Sequence, residues 1–60
     1  MKKYIVIKAF SINRVLMLPL DIIYAENVGG PTFRLYNSKT RKTIGIMVEI
    51  AFNEVCELED

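Results

Sequence analysis

Thr32-Phe33-Arg34-Leu35-Tyr36-Asn37-Ser38-Lys39-Thr40-Arg41-Lys42-Thr43-Ile44-Gly45-Ile46-Met47-Val48-Glu49-Ile50-Ala51-Phe52 is the stretch whose reading decides the fold. Phe33 and Leu35 share one parity and Arg34 and Tyr36 the other. A wholly polar run follows from Asn37 to Lys42, and Ile44, Ile46, Val48, Ile50 and Phe52 then alternate. Successive side chains of a strand point to opposite faces, so two alternating runs joined by a polar one spell an antiparallel hairpin. A four-residue loop from Ser38 to Arg41 sets Leu35 opposite Ile44 and Phe33 opposite Ile46. The apolar faces then coincide, and a slip of one residue would part them. This register predicts that Ile44 and Ile46 are both buried.

Upstream, Val28-Gly29-Gly30-Pro31 is the clearest break, because adjacent glycines accept positive φ and proline cannot serve a central ladder. Before it, Pro19 to Gly30 reads two ways. Pro19 at a first helical position, Asp21 in the first turn and Gly29 past the end are helix boundary signals. Alternation of Leu20, Ile22 and Tyr24 with Asp21, Ile23 and Ala25 reads as a strand, and β-branched Ile22-Ile23 tips the balance that way. Tyr4 to Ile12 is β-branched and aromatic on both parities and predicts one central or interface strand; Asn13-Arg14 suits a turn, and Val15 to Leu18 resumes as a second strand. Downstream, residues 51–59 fit either a strand or a short helix, since Ala51, Val55 and Leu58 also satisfy helical spacing. The expected fold is mainly β: a small curved antiparallel sheet or open barrel of four to five short strands, with any short helix at 19–28 or 51–59, in a single small domain spanning 1–60.

A chain of 60 residues has little interior, yet 52% of them belong to the AVILMFWYC set. Domains of this size usually rely on disulfides, a metal or a partner subunit. Cys56 is the single cysteine, and histidine is absent, so composition excludes an intramolecular disulfide and a Cys/His zinc site. That leaves assembly with a second copy, and the expectation is a fold completed by homodimerisation. The longest uncharged apolar stretch, Val15 to Leu20, is broken by Pro19 and is far too short to span a bilayer. Lys8 closes the early apolar run before a signal peptide could form. The expected setting is cytoplasmic, with no membrane partner.

Candidate chemistry is sparse. Without histidine, acid–base work near neutral pH would fall to a perturbed carboxylate, lysine, tyrosine or the lone thiol, and no base stands in a recognisable motif beside Ser11, Ser38 or Cys56. Gly29-Gly30 has neither the lysine-bearing nor the three-glycine phosphate spacing. The expectation is a non-enzyme with no cofactor and no metal. Charge order says more than the net +1: residues 1–45 hold all eight basic residues against Asp21 and Glu26, whereas residues 46–60 hold five acidic and no basic residues. The acidic tail is expected against Lys2, Lys3 or Lys8. Arg34 and Tyr36 on the outward parity, with Lys39, Arg41 and Lys42 at the hairpin tip, form the candidate partner-binding surface. Basic side chains beside an aromatic suit an acidic protein groove or a phosphate backbone with a stacked base. Near-neutral overall charge favours the protein.

The segment Asn13-Arg14-Val15-Leu16-Met17-Leu18-Pro19-Leu20-Asp21-Ile22, followed by Gly29-Gly30 and Phe33-Arg34-Leu35-Tyr36, resembles the strand, Pro-started helix and returning strand of AbrB/MazE-type swapped-hairpin proteins. That resemblance covers residues 8–48 and implies an intertwined homodimer acting as a DNA-binding transcriptional regulator or antitoxin. The residues themselves lead elsewhere, to a small non-enzymatic protein-binding module that acts as a homo-oligomer and regulates or inhibits a larger partner protein. Inhibitors encoded by viruses and mobile elements share this size and paucity of chemistry.

Overall fold

Apolar alternation carries most of the chain into strands, and the computed structural model describes residues 1–59. The strands are β1 (Lys2–Val6), β2 (Phe10–Ile12), β3 (Val15–Met17), β4 (Ile22–Gly29), β5 (Thr32–Asn37), β6 (Thr43–Val48) and β7 (Cys56–Leu58), and one helix, α1 (Glu49–Val55), separates the last two. Five of them form an antiparallel sheet in the order β6-β5-β4-β1-β7, and β2 and β3 form a separate pair. The mainly β architecture with one short helix is as expected. The strand number is higher, because the Tyr4 to Ile12 run is not one strand. After Val6 the amides of Ile7 and Lys8 both turn to the Val55 carbonyl, at 2.7 and 3.3 Å, which peels the chain off the sheet before β2 begins.

Turn chemistry accounts for the connections. Asn13 and Arg14 both adopt positive φ, 49° and 66°, as the mirror-image two-residue hairpin turn between β2 and β3 requires. Pro19 starts no helix. It opens a tight turn in which the Asp21 amide donates to the Leu18 carbonyl at 3.0 Å and the Asp21 carboxylate accepts from the Leu18 amide at 2.8 Å. Residues 22–29 are strand, so the helical alternative for 19–28 fails and the strand–helix–strand pattern of the swapped-hairpin proteins does not form. Gly29 and Gly30 then sit at φ 130° and 52°, and the Asn27 side chain clasps their turn through the Gly29 amide and the Gly30 carbonyl.

The decisive hairpin forms with the expected loop but a different register. The Asn37 amide donates to the Lys42 carbonyl at 2.9 Å, and Tyr36 pairs with Thr43, as a Ser38 to Arg41 loop demands. The Asn37 carboxamide accepts from the amides of Lys39 and Thr40, which holds that loop. Then β6 bulges at Ile44. Leu35 faces Gly45 rather than Ile44, Arg34 faces Ile46, and Phe33 faces Met47. The extra residue moves Ile46 to the outer face, where it is 56% exposed, while Ile44 and Gly45 are buried. The burial expected of Ile46 is thereby overturned. The cause is tertiary: the Asn13 Nδ2 donates to the Ile44 carbonyl at 2.8 Å, and a Cβ on Gly45 would stand 2.6 Å from that nitrogen and 2.8 Å from Ile12 Cδ1. Only glycine lets the β2–β3 turn approach so closely.

Strand alternation ends at Val48. Glu49 opens α1, and Ile50 and Phe52, expected to continue the strand, belong to the helix instead. Residues 51–59 are therefore both of their alternatives in succession, helix to Val55 and strand from Cys56. Phe52 enters the core fully buried, 4.8 Å from the Tyr4 ring edge-on and stacked on Phe33 at 5.0 Å. With Val6, Ile23, Ala25, Leu35 and Cys56 it covers one face of the sheet, and Met17, Phe10 and Ile12 of the β2–β3 hairpin close the rest. Among the described residues every buried side chain is apolar. Among the described residues no element covers the opposite, outer face.

Candidate functional site

The outer face is built by the parity that the core leaves over. On β4 it presents Ile22, Tyr24 and Glu26, on β5 Arg34 and Tyr36, and on β6 Ile46 and Val48, all half-buried or exposed. Cross-strand pairing sets Tyr24 beside Tyr36 and Glu26 beside Arg34. The Tyr36 hydroxyl donates to the Glu26 carboxylate, which pins the ring. From the loop, Arg41 swings over the Tyr24 ring with its guanidinium 4.3 Å from the centroid, and its backbone holds the left-handed φ of 63° that ends the loop. Arg34, Tyr36 and Arg41, three of the five residues expected at the surface, thus meet around Tyr24 and Glu26.

Lys39 and Lys42 stand apart from that group. Lys39 borders an open depression of about 390 Å³ that it shares with Val15, Leu16 and Leu20 of the β3 region. Lys42 is exposed, and among the described residues its side chain makes no hydrogen bond or ion pair. Sequence reasoning missed Tyr24, because Ile22-Ile23-Tyr24 is apolar on both parities. The signal that could have found it is the Gly29-Gly30 turn, which folds β4 onto β5 and sets Tyr24 against Tyr36. The acidic tail meets one of the amino-terminal lysines: Lys3 Nζ lies 3.6 Å from Glu59 Oε1, an exposed pair worth little to stability. Asp60 lies outside the described residues.

Burial pushes the Cys56 thiol up from its ordinary 9.0 to about 11. It is therefore protonated and poorly nucleophilic at neutral pH. Among the described residues no group of three or more His, Cys, Asp or Glu could hold a metal ion, and no helix is long and apolar enough to cross a membrane. The chain matches no protein-family model, no curated protein and no solved structure.

Proposed function

We propose that this chain is a small non-enzymatic binding module which attaches, as a homo-oligomer, to a larger protein and regulates or blocks it. The attachment surface is the outer sheet face around Tyr24, Tyr36, Arg34 and Arg41. The observation that carries this reading is the paired tyrosines with Arg41 stacked on one and Glu26 bonded to the other. Tyrosine and arginine dominate the energetics of protein interfaces. Side chains already held by a ring contact or a hydrogen bond lose less freedom when a partner arrives, so more of the contact energy appears as affinity. Aliphatic Ile22, Ile46 and Val48 flank the group and supply apolar area.

Single-stranded nucleic acid is the second reading, favoured by two adjacent aromatic rings on the face that also carries Arg34 and Arg41. Glu26 in the middle of the face weighs against it, since a carboxylate repels phosphate. Affinity capture from the native host decides between them, with wild type compared against Arg34→Ala/Tyr36→Ala. A protein retained by wild type, lost with the variant and insensitive to moderate salt supports the first reading. A nucleic acid whose retention collapses with ionic strength supports the second, and equal capture by both chains would place the site elsewhere.

A further inference from the structure

We infer that the free edge of β6 is the seam along which two copies of this chain join antiparallel, with Ile46 of one copy opposite Val48 of the other. The inference rests on the homo-oligomeric reading above and gives it a surface and a register. β6 is outermost in the sheet, and Thr43–Val48 contains no charge and no proline. Folded proteins usually blunt such an edge with lysine, proline or a covering loop, because its unpaired N–H and C=O groups invite another strand.

Ladder phase says which groups are free. The Glu49 amide donates to the Pro31 carbonyl at 2.7 Å, and the register continues as Thr32 with Val48, Phe33 with Met47 and Arg34 with Ile46. Hydrogen-bonded and non-bonded pairs alternate in an antiparallel ladder. Phe33 with Met47 is therefore bonded, and the N–H and C=O of Ile46 and the N–H of Val48 point to the open edge, while the Val48 carbonyl, at the N-cap, already accepts the first bond of α1. On one side the Ile44 carbonyl is already taken by Asn13, and on the other the chain enters α1 at Glu49. A two-fold axis through Met47 brings Ile46 against Val48 of the second copy, so that the Val48 N–H meets the Ile46 carbonyl and the Ile46 N–H meets the lone pair that α1 leaves on the Val48 carbonyl. Setting Ile46 against itself would instead direct Val48 at the occupied Ile44 carbonyl.

Side chains agree with the backbone. Ile46 and Val48 are 56% and 57% exposed, and Ile50, just beyond the seam, is 76% exposed. Joined this way they form one aliphatic cluster across the axis, with no like charges facing each other. A standard interface buries about 800 Å² per partner, near a fifth of this chain's 4076 Å², so the seam needs this apolar flank as well as the strand. The row Glu26, Arg34, Ile46 would continue into Val48 and Thr32 of the second copy, merging both outer faces into one continuous surface.

Sedimentation equilibrium and cysteine cross-linking in a Cys56→Ala background test the seam. Wild type should be a dimer of 6.9 kDa chains, and Ile46→Lys should stay folded by circular dichroism while raising the dissociation constant at least ~100-fold, since two lysines would lose water against an apolar seam. Met47→Cys, on the axis, should oxidise to a covalent dimer because facing Cα atoms of a non-bonded pair lie within disulfide reach. Ile46→Cys alone should not. A monomeric wild type, a dimer that survives Ile46→Lys, or equal cross-linking by the two cysteine variants would overturn the inference. A monomer that still captures the partner protein would sink the seam and leave the binding face intact. A dimer with the expected cross-links that captures nothing would sink the binding face alone.

Discussion

Gly45→Ala is the substitution that tests the reasoning most directly, because a methyl group on a strand glycine ordinarily helps. Glycine in a strand is about 0.5–1 kcal/mol worse than alanine through backbone entropy, so an uncrowded site would gain stability. Here the new Cβ would meet Asn13 Nδ2 at 2.6 Å and Ile12 Cδ1 at 2.8 Å. Both are side-chain ends, but the first is committed to the Ile44 carbonyl. Displacing it forfeits about 0.5–1.5 kcal/mol of hydrogen bonding, and forcing Ile12 aside costs ~1–3 kcal/mol as overpacking. The net expectation is a loss of roughly 1–3 kcal/mol, out of the ~3–9 kcal/mol that a chain of this length commands. Urea denaturation followed by circular dichroism reads the loss. Asn13→Gly removes one of the two obstacles at a residue already in the left-handed region, φ 49°, so Gly45→Ala should cost less in that background by ~0.5–1.5 kcal/mol. A neutral or stabilising Gly45→Ala, or strictly additive losses, would refute the account of the bulge.

Phe52→Ala should cost ~3–5 kcal/mol and bring the domain close to unfolding at room temperature by thermal melt, since the ring is fully buried between Tyr4 and Phe33; a loss under about 1 kcal/mol would mean that α1 does not cap the core. Reversing Lys39, Arg41 and Lys42 to Glu should lower stability by no more than ~1–2 kcal/mol, most of it from the Arg41 stack on Tyr24, while slowing capture of an acidic partner. An unfolded triple variant would make the loop structural. Leu20, 78% exposed at φ 79° in the Pro19 turn, should be replaced by Gly with a gain of up to ~1 kcal/mol, and a loss of that size would show that its side chain packs in solution. Cys56 supplies a pH test: its thiol holds its proton to about 11 in the fold but only to 9.0 in the ordinary state. The unfolded chain ionises first, so this contribution is intact below pH 9 and is lost as pH rises toward 11, at ~1.4 kcal/mol per unit. Cys56→Ala should show a shallower decline than wild type over that window in denaturant titrations, and parallel curves would contradict the burial.

Local chemistry was legible where the partners are near in sequence. The polar run after Tyr36 and the glycine pair at 29–30 fix their turns through Asn37 and Asn27, each bonding within three residues, and both loops fall where the pattern sets them. The bulge at Ile44 was not legible. It answers to Asn13, 31 residues away, and nothing in Thr43-Ile44-Gly45-Ile46 reveals that a turn from elsewhere will press on Gly45. Strand alternation from Ile44 to Phe52 masked the helix for a related reason: Glu49–Val55 also places Phe52 and Val55 on one helical face, and only the aromatic slot between Tyr4 and Phe33 chooses between the two periods. At the candidate site, outward parity correctly placed Arg34 and Tyr36. Of the loop's basic residues only Arg41 is held against that face; Lys39 borders the depression beside β3, and Lys42 is exposed.

Pairing of β1 with β7, Tyr4 beside Leu58 and Val6 beside Cys56, decides when this protein can exist during its own synthesis. Of the strands in the sheet, β1, an inner one, is the first to leave the ribosome, and the strand that shields its open side is the last. Phe52 and Cys56, which close the core, emerge with it. At the usual pace of ~5–20 residues per second, β1 waits several seconds with one side unpaired, and the β1–β4–β5–β6 sheet must hold together without its aromatic plug. Folding is thus deferred until β7 is free, and a ribosome stalled before Phe52 should carry a nascent chain that proteases cut throughout.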